Sequence, residues 1–240
     1  MPAVPAPVVI LGLGPSLEGY IDYVKRLGSR HAYADEVWAI NAAADVIQCD
    51  RVFHMDDVRI QQIRANARPR SNISNMLTWL RTHPGPIYTS RLHPDYPGLV
   101  EYPLEAVINS CGIAYINNTA AAAVAFAVHI GVQQISLWGC DYTYANAHDA
   151  ERGRACTEFH LGIAKARGIR IGLGNATSLM DACEHEASGL YGYDTLDLDI
   201  SGGGDQPVQV RFTPKAVLPT AEEIERAYDH TRNPNPLVKD

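Results

Sequence analysis

The sequence predicts an α/β protein with a mainly parallel sheet flanked by helices. Three observations predict it. Short apolar runs recur from Val8 to Leu173, separated by helical stretches, which is the alternation of strand and crossover helix. The runs are continuous rather than alternating, as strands covered on both faces require. Most of them end in Gly or a short polar residue, at Gly12, Asn41, Asp56, Gly139 and Asp141. In an open parallel sheet that edge is where ligands bind.

The elements follow in order. Val8–Leu11 is a strand that runs into Gly12-Leu13-Gly14-Pro15-Ser16. Ser16 is placed to cap a helix to about Leu27, which Gly28 stops. Val37–Ile40 and Arg51–Met55 are the next strands, joined by a short crossover. Residues 57–85 are polar, with a helix expected only over Met76–Arg81. Ile87–Thr89 follows as a strand, and residues 91–114, broken by Pro94, Pro97, Gly98, Pro103 and Gly112, read as an irregular insertion with a short helix over Leu104–Asn109.

The middle of the chain is clearer. Asn117-Asn118-Thr119 opens an alanine-rich helix, Ala120–Ile130, ended by Gly131. Gln134–Trp138 is a strand leading to Gly139-Cys140-Asp141-Tyr142, and a loop to His148 precedes a helix from about Ala150 to Ala166. Ile169–Leu173 is the last strand of this series, and Asn175 begins a short helix. The character changes near Ser188. Residues 1–188 are expected to form one domain and 189–240 a C-terminal extension packed on it, with an edge strand at Val208–Phe212, a helix over Ala221–His230 and a loose tail from about Asn233.

Composition narrows the function. The chain has 240 residues, 46% hydrophobic and 20% charged, enough for a real core. Its longest apolar run, Ala120–Ile130, is too short to cross a bilayer. The N-terminal segment has no basic start of a secretory signal, and a cytoplasmic location is expected. The net charge of −7 argues against non-specific nucleic-acid binding, although Arg59, Arg64, Arg68, Arg70 and Arg81 cluster with Asp57 as the one acid among them. Five cysteines, none spaced as CxxC, read as reduced core thiols.

The motifs point to a nucleotide. Gly12, Gly14, Pro15 and Ser16 form a turn into a helix N-terminus, a geometry suited to phosphate. It is neither the dinucleotide fingerprint, since Leu17 stands at the third glycine, nor a Walker A loop. Asn41 stands where a dinucleotide-binding unit places its ribose-binding acid. Asp56 and Asp57 are metal-ligand candidates or a helix cap and its neighbour. Asn118 and Thr119 put an amide and a hydroxyl at another helix start. Asp141, Tyr142, Tyr144 and His148 bring an acid, two phenols and an imidazole into one loop, where phenols can hold a leaving phosphate and His can act as base. His129 and His160 lie inside helices and read as structural.

Gly12–Leu17, the strand ending at Asn41, Asn118-Thr119-Ala120, Ile135–Tyr142 and Asn175–Leu179 resemble, in the same order, motifs of the metal-independent Rossmann-like bacterial sialyltransferases. They also resemble the related motility-accessory-factor and 6-hydroxymethylpterin-diphosphokinase-like proteins, some of them phage-encoded. The resemblance covers roughly residues 8–185 and implies a Rossmann-like, GT-A-variant-like domain. It implies nucleotide contacts at Gly12, Gly14, Asn41, Asn118 and Thr119, leaving-phosphate contacts at Tyr142 and Tyr144, and a general base at His148. Leu13 and Met55-Asp56 depart from the sialyltransferase pattern, which has Asn between its glycines and after the third strand. The expected activity is therefore an inverting glycosyltransferase without a required cofactor, moving a sugar from a nucleotide-sugar donor to a glycan, a small molecule or a hydroxymethylated DNA base. The alternatives are a Mg2+-dependent diphosphokinase using Asp56, Asp57 or Asp141, and a non-catalytic nucleotide-binding module.

Overall fold

The computed structural model describes residues 7–143, 146–175, 177–180, 196–203, 206–214 and 220–227. The chain divides into two compact units, Met1–Cys183 and Glu184–Asp240.

In the first unit the strands are β1 (Pro7–Leu11), β2 (Glu36–Ile40), β3 (Arg51–Phe53), β4 (Ile87–Thr89), β5 (Leu99–Glu101), β6 (Gln134–Trp138) and β7 (Arg170–Leu173). They pair throughout in parallel, in the order β5-β4-β3-β2-β1-β6-β7. The helices are α1 (Leu17–Leu27), α2 (Ala43–Val46), α3 (Val58–Ala67), α4 (Asn72–Thr82), α5 (Leu104–Cys111), α6 (Thr119–Ile130) and α7 (Ala147–Ala166). The sheet therefore grows outward from β1 in one direction and then crosses back to continue from its other side. That order is Rossmann-like, and its switch point lies between β1 and β6.

Alternate residues of each strand face opposite layers, and both layers are apolar. Val8, Ile10, Trp38, Phe53, Ile135 and Leu137 pack with α6. Val9, Leu11 and Val37 meet Leu17 and Tyr20 of α1, while Val52 and Ile87 meet α3 and α4 through Val58, Ala65, Leu77 and Leu80. Every residue of α6 from Ala120 to Val128 is buried. Its small side chains let the helix lie close to the sheet, and Gly131 closes it in the left-handed conformation at φ 72°.

Four expectations are corrected. Residues 58–67 form α3, which the pattern concealed because Gln61 is buried while Ile60 and Ile63 are exposed. The insertion at 91–114 contains β5, a strand of three residues and so too short to show periodicity. The helix expected from Ala150 begins at Ala147, which puts His148 in its first turn. Ser16 holds the position before α1 but makes no capping bond to it, its side chain being engaged elsewhere.

In the second unit, β8 (Leu196–Gly203) and β9 (Gln206–Pro214) form an antiparallel pair, and α8 spans Ala221–Ala227. The edge strand expected at Val208–Phe212 falls within β9. The expected tail from Asn233 lies outside the described residues; of the helix expected to begin at Asn175, residues 175 and 177–180 are described, and of these only Leu179 and Met180 are helical. Among the described residues no helix is long and apolar enough to cross a membrane.

Candidate functional site

A pocket of about 630 Å³ opens at the C-terminal ends of β1, β2 and β6, a volume within the range of small-molecule sites. It is lined by Gly12, Gly14 and Pro15 after β1, by Asn41 and Asp56 after β2 and β3, by Asn118 and Thr119 at the start of α6, and by Gly139, Asp141 and Tyr142 after β6. The fold thus brings ten expected residues to one place. Leu13, Ile40, Ala42, Asn117, Ala120, Cys140 and Thr143 line it as well. Ser16 and Asp57 stand outside that lining, as does His148, which is exposed on α7. Tyr144 lies outside the described residues.

The turn after β1 is held by the protein itself. Gly12 N donates to the Trp138 carbonyl at 2.9 Å and Gly14 N to the Gly139 carbonyl at 2.7 Å. Ser16 N donates to Asp141 Oδ2 at 2.7 Å and Ser16 Oγ to Asp141 Oδ1 at 2.6 Å. Gly139 N in turn donates to Ser16 Oγ at 2.6 Å. The amides of Gly12, Gly14 and Ser16 are therefore taken, and the carboxylate of Asp141, buried at 2% exposure, occupies the anion position at the N-terminus of α1. The glycines serve this closure. A Cβ on Gly12 would overlap the Gly139 carbonyl, and one on Gly14 would lie 2.6 Å from Asp141 Oδ2.

The start of α6 is arranged differently. Asn118, not Thr119, caps it, accepting from Ala121 N at 2.9 Å. Asn118 Oδ1 also accepts from Tyr142 O–H at 3.0 Å and from Thr157 Oγ1 at 3.3 Å, while its Nδ2 donates to the Gly153 carbonyl at 3.0 Å. The carboxamide of Asn118 and the Tyr142 hydroxyl are thus tied into α7 rather than presented to a ligand. The backbone amides of Thr119 and Ala120, at the first turn, have no partner inside the helix, and Thr119 lines the pocket. The body of α6, Ala120–Val128, is buried, while its first residues, Asn118 and Thr119, are only half-buried where they meet the pocket.

The remaining polar side chains are Asn41, Asp56, Asn117 and Thr143, of which Asn117 is tied to the Arg152 carbonyl and to Asn118. Asn41 has left-handed backbone, φ 50°, a conformation Asn tolerates better than most residues. Its Oδ1 lies 3.0 Å from Nδ1 of His54, a fully buried residue just after β3. Asp56 is exposed at the pocket edge. Its neighbour Asp57 caps α3 through Arg59 N at 3.0 Å and pairs with the Arg59 guanidinium, whose hydrogen bonds hold the carboxyl well below the usual range. Of the three carboxylates expected to bind Mg2+, Asp57 and Asp141 are engaged by protein donors, which leaves Asp56. Among the described residues no cluster of metal-ligating side chains is present. Cys140 sits on the pocket floor, where burial pushes its thiol up to about 12 and leaves it unreactive.

Sequence reasoning missed His54, Gly153, Thr157 and Ser178. Gly153 inside α7 was the visible signal: a Cβ there would lie 2.8 Å from the Tyr142 ring. Ser178 Oγ donates to the Asp141 carbonyl at 2.8 Å. The fold and pocket together define a Rossmann-like α/β domain with a pocket at the topological switch point, the edge where such sheets bind ligands. No protein-family model and no curated protein sequence matches this chain.

Proposed function

We propose that this pocket binds a nucleotide and that the protein is a nucleotide-sugar-dependent inverting glycosyltransferase. The observation that carries the reading is the pocket's position at the β1/β6 switch point, with the open N-terminus of the buried helix α6 facing Asn41 and Asp56 in its lining. Helix amides and the Thr119 hydroxyl suit a phosphate that gains charge as it leaves. Asn41 and Asp56 suit the hydroxyls or base edge of a nucleoside. In the reaction the bond from the sugar carbon to the donor phosphate breaks and a bond to the acceptor oxygen forms on the opposite face. His148, exposed in the first turn of α7, takes the acceptor proton. The acceptor is a glycan, a small molecule or a hydroxymethylated DNA base.

The test is a thermal-shift panel of CMP, UDP, GDP, ADP, ATP, GTP and their sugar conjugates, each with Mg2+ and with EDTA. A ligand at 100 times its Kd stabilises by about 2.7 kcal/mol, or about 5–10 °C for a chain of this size. The expected result is a metal-independent rise with one pyrimidine nucleotide and its sugar conjugate. A rise only with ATP or GTP plus Mg2+ would overturn the reading in favour of the diphosphokinase, and no rise with any compound would remove nucleotide binding altogether.

A further inference from the structure

His54 does not line the pocket, yet it is fully buried against the side chain of Asn41, which does. Its Nδ1 faces Asn41 Oδ1 at 3.0 Å, and its Nε2 is buried without a hydrogen-bond partner among the described residues. An unpaired N–H in such a place costs more than an unpaired lone pair. The proton therefore sits on Nδ1 and Nε2 is bare. Burial also disfavours the imidazolium, although Asp56 opposes that effect. A neutral Nδ1–H donates, so the atom of Asn41 facing it must be the carbonyl oxygen. The other end of the carboxamide, Nδ2, then points away from His54. Asn41 lines the pocket, and its Nδ2 donates to no acceptor among the described residues. The left-handed backbone at Asn41 is a second constraint on the same side chain.

We infer that His54 is a positioning residue that holds the Asn41 carboxamide with Nδ2 toward the pocket, so that the site takes a ligand group that accepts a hydrogen bond there. Candidate groups are a base carbonyl, a ring nitrogen or a hydroxyl oxygen. An exocyclic amine is rejected at this point, because it would meet another donor. This inference deepens the nucleotide reading and rests on it for the ligand class. The orientation of the carboxamide stands on the protein alone.

The experiment has two arms. In the first, the protein labelled with 15N-histidine is examined at pH 7 by two-bond 1H–15N correlation. His54 is expected to show a protonated Nδ1 and an unprotonated Nε2; an Nε2–H tautomer or an imidazolium overturns the inference. In the second, UDP and CMP are titrated against the parent protein and three variants. His54→Leu removes the donor and frees the carboxamide to rotate, and is expected to weaken binding roughly tenfold, the scale of one hydrogen bond. His54→Asn, whose Nδ2 stands where Nδ1–H stood, is expected to restore most of that loss. A purely structural role would treat the two variants alike. Asn41→Asp still accepts from His54 but turns an acceptor toward the ligand, and is expected to lose affinity roughly tenfold with folding retained. Equal affinity in Asn41→Asp overturns the inference. If neither nucleotide binds the parent protein, the nucleotide reading fails, while the tautomer still decides the orientation.

Discussion

Asp141→Ala separates a structural role from a catalytic one. In the folded protein the carboxylate accepts from Ser16 N at 2.7 Å and Ser16 Oγ at 2.6 Å, at 2% exposure. Hydrogen bonds to charged groups contribute about 1.5–3 kcal/mol each, and a carboxylate at a helix N-terminus adds about 0.3–1 kcal/mol. The cost of burying the charge offsets part of this. Truncation also leaves the Ser16 N–H and O–H donors without their acceptor, although Ser16 Oγ still accepts from Gly139 N. The net loss is about 3 kcal/mol, or about 6–12 °C in Tm at 2–4 °C per kcal/mol. Asp141→Asn is expected to lose roughly half as much, since one oxygen still serves the Ser16 amide while the Ser16 hydroxyl loses its carboxylate. Thermal unfolding followed by circular dichroism gives these values. In a double-mutant cycle, Ser16→Ala and Asp141→Ala should couple by about 1 kcal/mol or more. A Tm for Asp141→Ala within about 1 °C of the parent, together with loss of the nucleotide response, would refute the argument: the carboxylate would then be acting on ligand rather than joining the two turns.

Three further outcomes are expected. Gly12→Ala sets a methyl against the Gly139 carbonyl, backbone on both sides, and should cost about 1–3 kcal/mol or more; an unchanged denaturation midpoint would show that the turns can separate freely. His54 and His160 are both held neutral by burial, below their ordinary pKa. The unfolded chain binds protons near pH 6.5 that the folded state refuses, so stability is complete above that pH and falls below it, by about 1.4 kcal/mol per pH unit for each histidine down to its folded value; a flat Tm between pH 7.5 and 5.5 would contradict this. His148→Ala should change stability by no more than about 0.5 kcal/mol, the side chain being exposed, and should abolish sugar transfer while nucleotide binding persists; full turnover in that variant would remove it as the base.

Much of the fold is legible in the sequence because its signals are local. The continuous apolar runs become parallel strands, and Gly28 and Gly131 end their helices in the left-handed conformation. The rule that parallel strands present their C-terminal ends to ligand then collects Gly12, Asn41, Asp56, Gly139 and Asp141 at one pocket. Helix α3 escaped because its buried face carries Gln61 and its exposed face two isoleucines, which inverts the hydrophobic pattern. What each pocket residue is free to do was not legible at all. Asp141 meets Ser16 across 125 residues, Asn118 meets Thr157 and Gly153 on α7, and His54 meets Asn41 across two strands. A side chain's type sets which bonds it can form. Packing between distant segments sets which of them are already made: it places the protein's own carboxylate at the start of α1 and leaves Thr119, at the start of α6, lining the pocket.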